Sequence, residues 1–244
     1  MSAGVRRTFD SLSVPNFRRY FAGQVVSITG NWMQIIAEMW LIVQLTGSGV
    51  SVGLTAALQF LPMLLFGAWG GLLADRVPKL RLLQYTQALM ALPALTLWAL
   101  VATGHVTTLI VFALVLARGS VLAIDNPARQ SFVMELVGHD RIVNAVALNS
   151  VVVHTSRIAG PALAGTVIAV LGVGPCFALN ALSFVAMLVA LRGMNREELQ
   201  SRRSPSARPA TSGSPSATSR PRPRCGSRSA RWWSWARSPS TSRC

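Results

Sequence analysis

Residues 70–81, GGLLADRVPKLR, set Asp75, Arg76, Lys79 and Arg81 around Pro78 in a chain that is apolar for long stretches on either side. A charged side chain at the centre of a bilayer costs about 2.5–3.5 kcal/mol on insertion scales, so this cluster cannot sit in lipid. It marks a point where the chain surfaces into water between two membrane spans. Its three cations also choose the side, because loops rich in Lys and Arg stay in the cytoplasm.

The rest of the composition fits that reading. Of 244 residues 51% are hydrophobic and the mean hydropathy is +0.44, as in a helical membrane protein rather than a soluble domain. A net charge of +15 and a pI of 11.8 suggest nucleic acid only if the basic residues share a folded face. They do not. Residues 1–200 hold thirteen Lys and Arg against all eight acids, whereas residues 201–244 hold ten Arg and no acid. No nucleic-acid partner is expected. Cys176, Cys225 and Cys244 have no metal or redox spacing, and His105, His139 and His154 are scattered. With no nucleophile or nucleotide motif either, neither an enzyme nor a cofactor is implied. The first apolar stretch is full length without a small-residue cleavage site, so it is expected to stay as a signal anchor.

Outward from 70–81 the chain divides into six apolar blocks: about 20–45, 52–73, 82–101, 109–126, 142–170 and 176–194. Residues 1–19 read as a polar cytoplasmic segment, with a short interfacial helix around PNFRRYF (15–21). The turns TGSGVS (46–51), ATGHVTT (102–108) and GVGP (172–175) carry no Lys or Arg. The N-terminal segment, 70–81, 125–141 and 192–198 carry eleven. Six spans with both ends of the domain in the cytoplasm of a cell's inner membrane follow.

Inside the spans a few polar residues need partners. Gln24, Asn31, Gln34 and Glu38 fall near one stripe of the first helix, which favours a cavity over lipid. Glu38 reads either as a proton-coupling or cation-recognising acid within reach of Arg118, or as a neutralised glutamate at the outer interface of the bundle. Arg118 keeps its proton and so needs an anion, carbonyls or water at mid-span, in a functional or a purely structural role. Arg157 poses the same question in the fifth span. Asp125 and Arg129, four apart at the inner end of the fourth span, suit an ion pair, structural or part of a cytoplasmic gate. Gly160, Pro161 and Gly165 permit close helix approach and a kink.

The 70–81 stretch resembles the signature loop between the second and third helices of the major facilitator superfamily, G-x-x-x-D-R-x-G-x-R-R. Gly71, Asp75, Arg76 and Arg81 match, Lys79 is a basic equivalent, and Pro78 stands where the pattern has glycine. ARGSVLAID (117–125) resembles the fourth-helix motif with its mid-span arginine, and RIAGPALAG (157–165) the fifth-helix Gly-Pro motif of drug exporters. GQVVSITGNWMQ (23–34) and DNPARQ (125–130) are similar to the branch holding siderophore and macrolide exporters. The resemblance covers about 12–199, the N-terminal half of a twelve-helix transporter. It implies an all-α membrane domain of two three-helix repeats that moves a small-molecule substrate, a drug or siderophore, outward by proton antiport. Arg118 then takes part in coupling, Gly160–Pro161–Gly165 in a pivot, and Asp75 and Arg76 in a gate that meets a helix of the missing second half. The alternative is a half that does not transport and acts as a membrane-embedded interaction protein.

Residues 200–244 form an Arg/Ser/Pro-rich tail, which by composition is disordered and able to touch anionic lipid. From 201 on it uses only Ser, Arg, Pro, Ala, Thr, Gly, Trp and Cys, residues whose codons all carry G or C in the middle. A GC-rich gene read one base out of phase gives that pattern, and the paired codons of Trp232 and Trp233 hide a valine across their junction. The expectation is that a frameshift near residue 200 replaced the second half. The domain plan is then 1–19, 20–199 and 200–244.

Overall fold

The computed structural model describes residues 10–137 and 142–194. The segment 1–9, Arg141, the acidic exit from 195 onward, the tail at 200–244 and the side chain of Asp75 lie outside the described residues.

A short 3-10 turn, Asp10–Ser13, leads into six helices: α1 Pro15–Thr46, α2 Gly49–Arg76, α3 Lys79–Thr103, α4 Thr108–Val137, α5 Ile142–Leu171 and α6 Gly174–Arg192. They run from 19 to 32 residues, and each is long and apolar enough to cross a bilayer, for which about 20 residues suffice. α1, α3 and α5 each give way at a glycine in the left-handed region, Gly47, Gly104 and Gly172, with φ of 61°, 72° and 84°. Those turns sit together at one end of the bundle, the end without Lys or Arg.

The other end departs from the sequence expectation. The charged stretch is mostly helix: α2 continues to Arg76, only Val77 and Pro78 leave helical geometry, and Lys79 opens α3. PNFRRYF forms about the first two turns of α1 rather than a separate interfacial helix, with Pro15 supplying the preset φ of a helix start. α4 passes through DNPARQ to Val137, where the sequence suggested an exit near residue 126. Pro127 is tolerated within it, as are Pro62, Pro93 and Pro161 in their helices. In a membrane bundle neighbouring helices and side chains re-satisfy the freed carbonyls.

The packing order reveals the repeat. α2 lies along α4 and α1 along α5; α1 packs on α6 and α4 on α3; α3 and α6 pack on each other. Exchanging α1–α3 with α4–α6 returns the same set of pairs, as two three-helix repeats require. The tightest seam, α2 on α4, is made by glycines. A Cβ on Gly119 would come within 2.5 Å of the Gln59 carbonyl oxygen, and one on Gly70 would strike the carbonyl of Ala123. Lipid gives helices no hydrophobic reason to associate, so such close approach supplies the van der Waals contact that holds them.

Apolar side chains close both ends of the bundle. Phe17, Tyr20, Leu83, Phe132 and Leu136 gather at the cation-bearing end, where the Tyr20 and Phe132 rings meet edge to face at 5.4 Å. Ile42, Leu97, Val111 and Phe177 gather at the other. The polar side chains around Arg118 and Asp125 lie between.

Candidate functional site

Asn31, Gln34 and Glu38 are spaced three and four apart on α1 and so share one face, which turns toward α4 and α6. Arg118 reaches them from α4. Its Nη2 donates to Glu38 Oε2 at 2.7 Å and to Gln59 Oε1 of α2 at 3.1 Å, and its Nη1 donates to Asn31 Oδ1 at 2.8 Å. Glu38 accepts a second bond on Oε1 from Gln34 Nε2 at 2.7 Å. Gln34 Oε1 in turn accepts from Asn180 Nδ2 of α6, and Asn180 Oδ1 from Ser183 Oγ at 2.8 Å. Arg118 is wholly buried and Glu38 is 1% exposed. The network thus ties four helices through one ion pair, and leaves two buried donors, Arg118 Nε and Gln59 Nε2, without acceptors among the described residues.

A second network lies two turns further along α4, about 10 Å at 1.5 Å per residue. Asp125 Oδ1 accepts from Thr86 Oγ1 at 2.5 Å and Gln87 Nε2 at 2.9 Å, both on α3, and Oδ2 accepts from Arg129 Nε at 2.5 Å. Ser27 of α1 donates to Gln87 Oε1 at 3.2 Å and accepts a long 3.4 Å bond from Arg129 Nη2. The ion pair foreseen four residues apart is present, but it is buried in the bundle rather than placed at a polar exit. Three neutral donors or acceptors on α1 and α3 surround it.

A cavity of about 260 Å³ borders both networks, lined by Asn31, Trp32, Gln59, Asp125, Arg129 and Arg157 among others. Arg157 does not reach Glu38. Its guanidinium stands 4.8 Å over the Trp32 ring, a cation–π contact that leaves its N–H edge for the cavity. α5 is held against α1 by Thr29 Oγ1 donating to Ser156 Oγ at 2.9 Å and by Gln24 Nε2 donating to Asn149 Oδ1. Gly160 makes this contact possible, since a Cβ there would meet the Trp32 Cβ and the Thr29 carbonyl. Gly165 faces open space and supports no close approach, contrary to the expectation for that residue. α5 runs unbroken through Pro161.

Of the residues singled out in the sequence, Asn31, Gln34, Glu38 and Arg118 meet in one network and Asp125 and Arg129 in the other. Gly71, Arg76 and Arg81 stand apart at the cation-bearing end. Gly71 has nothing within 4 Å of a would-be Cβ, whereas its neighbour Gly70 is the residue pressed on α4. Lys79 there pairs with Glu135 of α4 at 3.4 Å. Gln59, Thr86, Gln87 and Asn180 were not foreseen. Gln59 and Asn180 were visible as lone amides within apolar runs.

Residues 6–209 match the family model described as "Transmembrane secretion effector". Over 176 residues, 70% of this chain and 44% of the relative, the chain is 28% identical to the staphyloferrin A transporter of Staphylococcus aureus. Over 183 residues, 72% of this chain and 41% of the relative, it is 31% identical to the uncharacterized MFS-type transporter YfiS of Bacillus subtilis. The chain therefore spans less than half the length of these curated relatives. No solved structure matches it.

Proposed function

Because the chain belongs to the major facilitator (MFS) transporters, in the family described as transmembrane secretion effectors, we propose that it forms one wall of a secondary transporter exporting small molecules of the drug or siderophore class by proton antiport. The observation that carries this reading is the ion pair of Glu38 and Arg118, buried among four helices, with the Arg118 partners Asn31 and Gln59 lining the cavity beside it. Glu38 is the proton site. While ionised it holds Arg118; once protonated it releases the guanidinium to Asn31, to Gln59 or to an anionic group in the cavity. Such a residue couples protonation to helix packing because an unpaired charge at this depth is expensive. Arg157 on Trp32, with Asn31, is the substrate-facing set, and Gln34 stands behind it, holding Glu38. A siderophore substrate draws support from the similarity to the staphyloferrin A transporter.

In this reading both ends of the six-helix unit face the cytoplasm of the inner membrane. Arg76 and the Asp125–Arg129 pair belong to the gate on that side, with Asp75 joining Arg76, and the Gly160–Pro161 segment of α5 is the pivot. The least covered helix is α2, whose Phe60, Leu61 and Leu64 are exposed, and a second six-helix unit is the counterpart that completes the substrate route. That same bare face supports the second reading, a membrane-embedded interaction partner without transport.

The test is dye export by the full chain in everted membrane vesicles energised with an inside-acid proton gradient. Gradient-dependent accumulation that Glu38→Gln abolishes supports antiport. An inserted wild-type chain that moves no dye, either alone or co-expressed with a second six-helix unit, supports the interaction reading.

A further inference from the structure

A cavity of about 360 Å³ opens at the cation-bearing end between α3 and α6, away from both polar networks, and is lined by Arg81, Gln84, Tyr85, Ala88, Leu188 and Arg192. Arg81 sits in the first turn of α3 and Arg192 ends α6, so the antiparallel pair brings two guanidinium groups to one level. Neither makes an ion pair or a hydrogen bond among the described residues. The Nε2 of Gln84 is buried beside them, also without an acceptor there. A third arginine strengthens the local charge: Arg19 of α1 donates to the Gly193 carbonyl, one residue beyond Arg192.

What lies below these donors fixes what can occupy them. One turn deeper on α3 is Tyr85, 69% exposed, a side chain suited to the headgroup level of a bilayer. Deeper still, Leu89 and Leu92 of α3 and Val189, Val185 and Leu182 of α6 are exposed on two helices that pack on each other. Cation, aromatic and aliphatic side chains thus follow one another from the helix ends inward, in the order in which a phospholipid presents phosphate, glycerol backbone and acyl chains. Basic pockets between membrane helices take anionic headgroups in this way.

We infer that the α3–α6 cleft is a binding site for an anionic phospholipid, its phosphate held by Arg81, Arg192 and Gln84 and its chains lying on the apolar seam below. A soluble phosphate shares the headgroup chemistry but gains nothing from the seam. The occupant is therefore the lipid.

The full chain, reconstituted in phosphatidylcholine bilayers with trace chain-labelled phosphatidylglycerol, reports this by electron spin resonance as a motionally restricted lipid fraction. Relative to labelled phosphatidylcholine, the wild type is expected to prefer phosphatidylglycerol, and Arg81→Gln with Arg192→Gln to lower that preference by at least about threefold. Arg18→Gln with Arg76→Gln removes the same charge from the same end and is expected to lower it far less. Equal loss in the two pairs would mean diffuse surface attraction and would overturn the site. Excess inorganic phosphate at fixed ionic strength should leave the wild-type preference intact; its abolition would reassign the cleft to a soluble anion. Each single variant carries part of the loss, so a double variant that fails to fold does not remove the test.

Discussion

The Arg118 guanidinium and the Glu38 carboxylate meet at 2.7 Å across α4 and α1 with essentially no exposure on either side. Removing one partner of such a pair strands the other charge, at a cost of about 3–5 kcal/mol. Glu38→Ala is therefore expected to lower the thermal midpoint of the full chain in detergent more than most single changes, read by circular dichroism. The double variant Glu38→Gln/Arg118→Gln should lose less than the two single variants summed, because it leaves no unpaired charge.

Asp125 holds three donors at once, from Thr86, Gln87 and Arg129. Hydrogen bonds to a charged group contribute about 1.5–3 kcal/mol, against about 1 kcal/mol for a neutral pair. Asp125→Ala should accordingly destabilise well beyond Thr86→Val, which removes one donor and keeps the volume. A Thr86→Val effect as large as that of Asp125→Ala in chemical denaturation would mean the carboxylate is not the hub.

The six spans were legible because apolar runs of bilayer length, with few charges, are separated by polar turns of which every second one bears Lys and Arg, and that pattern states directly what lipid excludes. Helix ends were not legible, since insertion cost measures contact with lipid rather than helicity. α2 stays helical through Arg76 in spite of its charges, and α4 carries Asp125 and Arg129 inside the bundle. Their burial depends on Thr86 and Gln87, 39 and 38 residues away from Asp125, and no local pattern announces that register. Glu38 and Arg118 could be suspected of meeting because Glu38 is the lone charge of its span and Arg118 stands at mid-span, seven residues from Asp125. Gln59 and Asn180 are neutral, and a lone amide in an apolar helix does not say which neighbour it faces.

Lys79 and Glu135 join the start of α3 to the end of α4 at 3.4 Å, with side chains 19% and 13% exposed. The pair lies at the helix ends and keeps a small water-facing edge on each side chain, so it contributes on the order of 1 kcal/mol and weakens with salt. Lys79→Gln should shift the thermal midpoint only slightly, and less at high ionic strength. The exchange Lys79→Glu/Glu135→Lys should restore what either reversal alone removes.

If the cation-bearing end is cytoplasmic, the turns at Gly47–Ser48 and Gly104–Thr107 lie outside the cell. Ser48→Cys should react with a membrane-impermeant maleimide on intact cells, in a background without Cys225 and Cys244; Cys176 is buried. Pro78→Cys should react only after permeabilisation. The reverse labelling would overturn the orientation and, with it, the direction of transport.

Gly70 and Gly71 are adjacent, yet one abuts α4 and the other faces empty space. Successive residues on a helix point about 100° apart, so only one of the two can face a given neighbour. A methyl at Gly70 collides with the Ala123 backbone, which cannot move without shifting α4, and overpacking of this kind costs about 1–3 kcal/mol. At Gly71 the added Cβ meets nothing, and replacing glycine by alanine within a helix gains up to about 1 kcal/mol. Gly70→Ala should thus lower the thermal midpoint and Gly71→Ala should leave it or raise it, although the motif resemblance points to Gly71. A lost midpoint for Gly71→Ala with an unchanged one for Gly70→Ala would mean that α2 is turned by one residue about its axis. Such a turn would move Gln59 away from Arg118 as well, so the pair of variants also checks the α2 side of the buried ion pair.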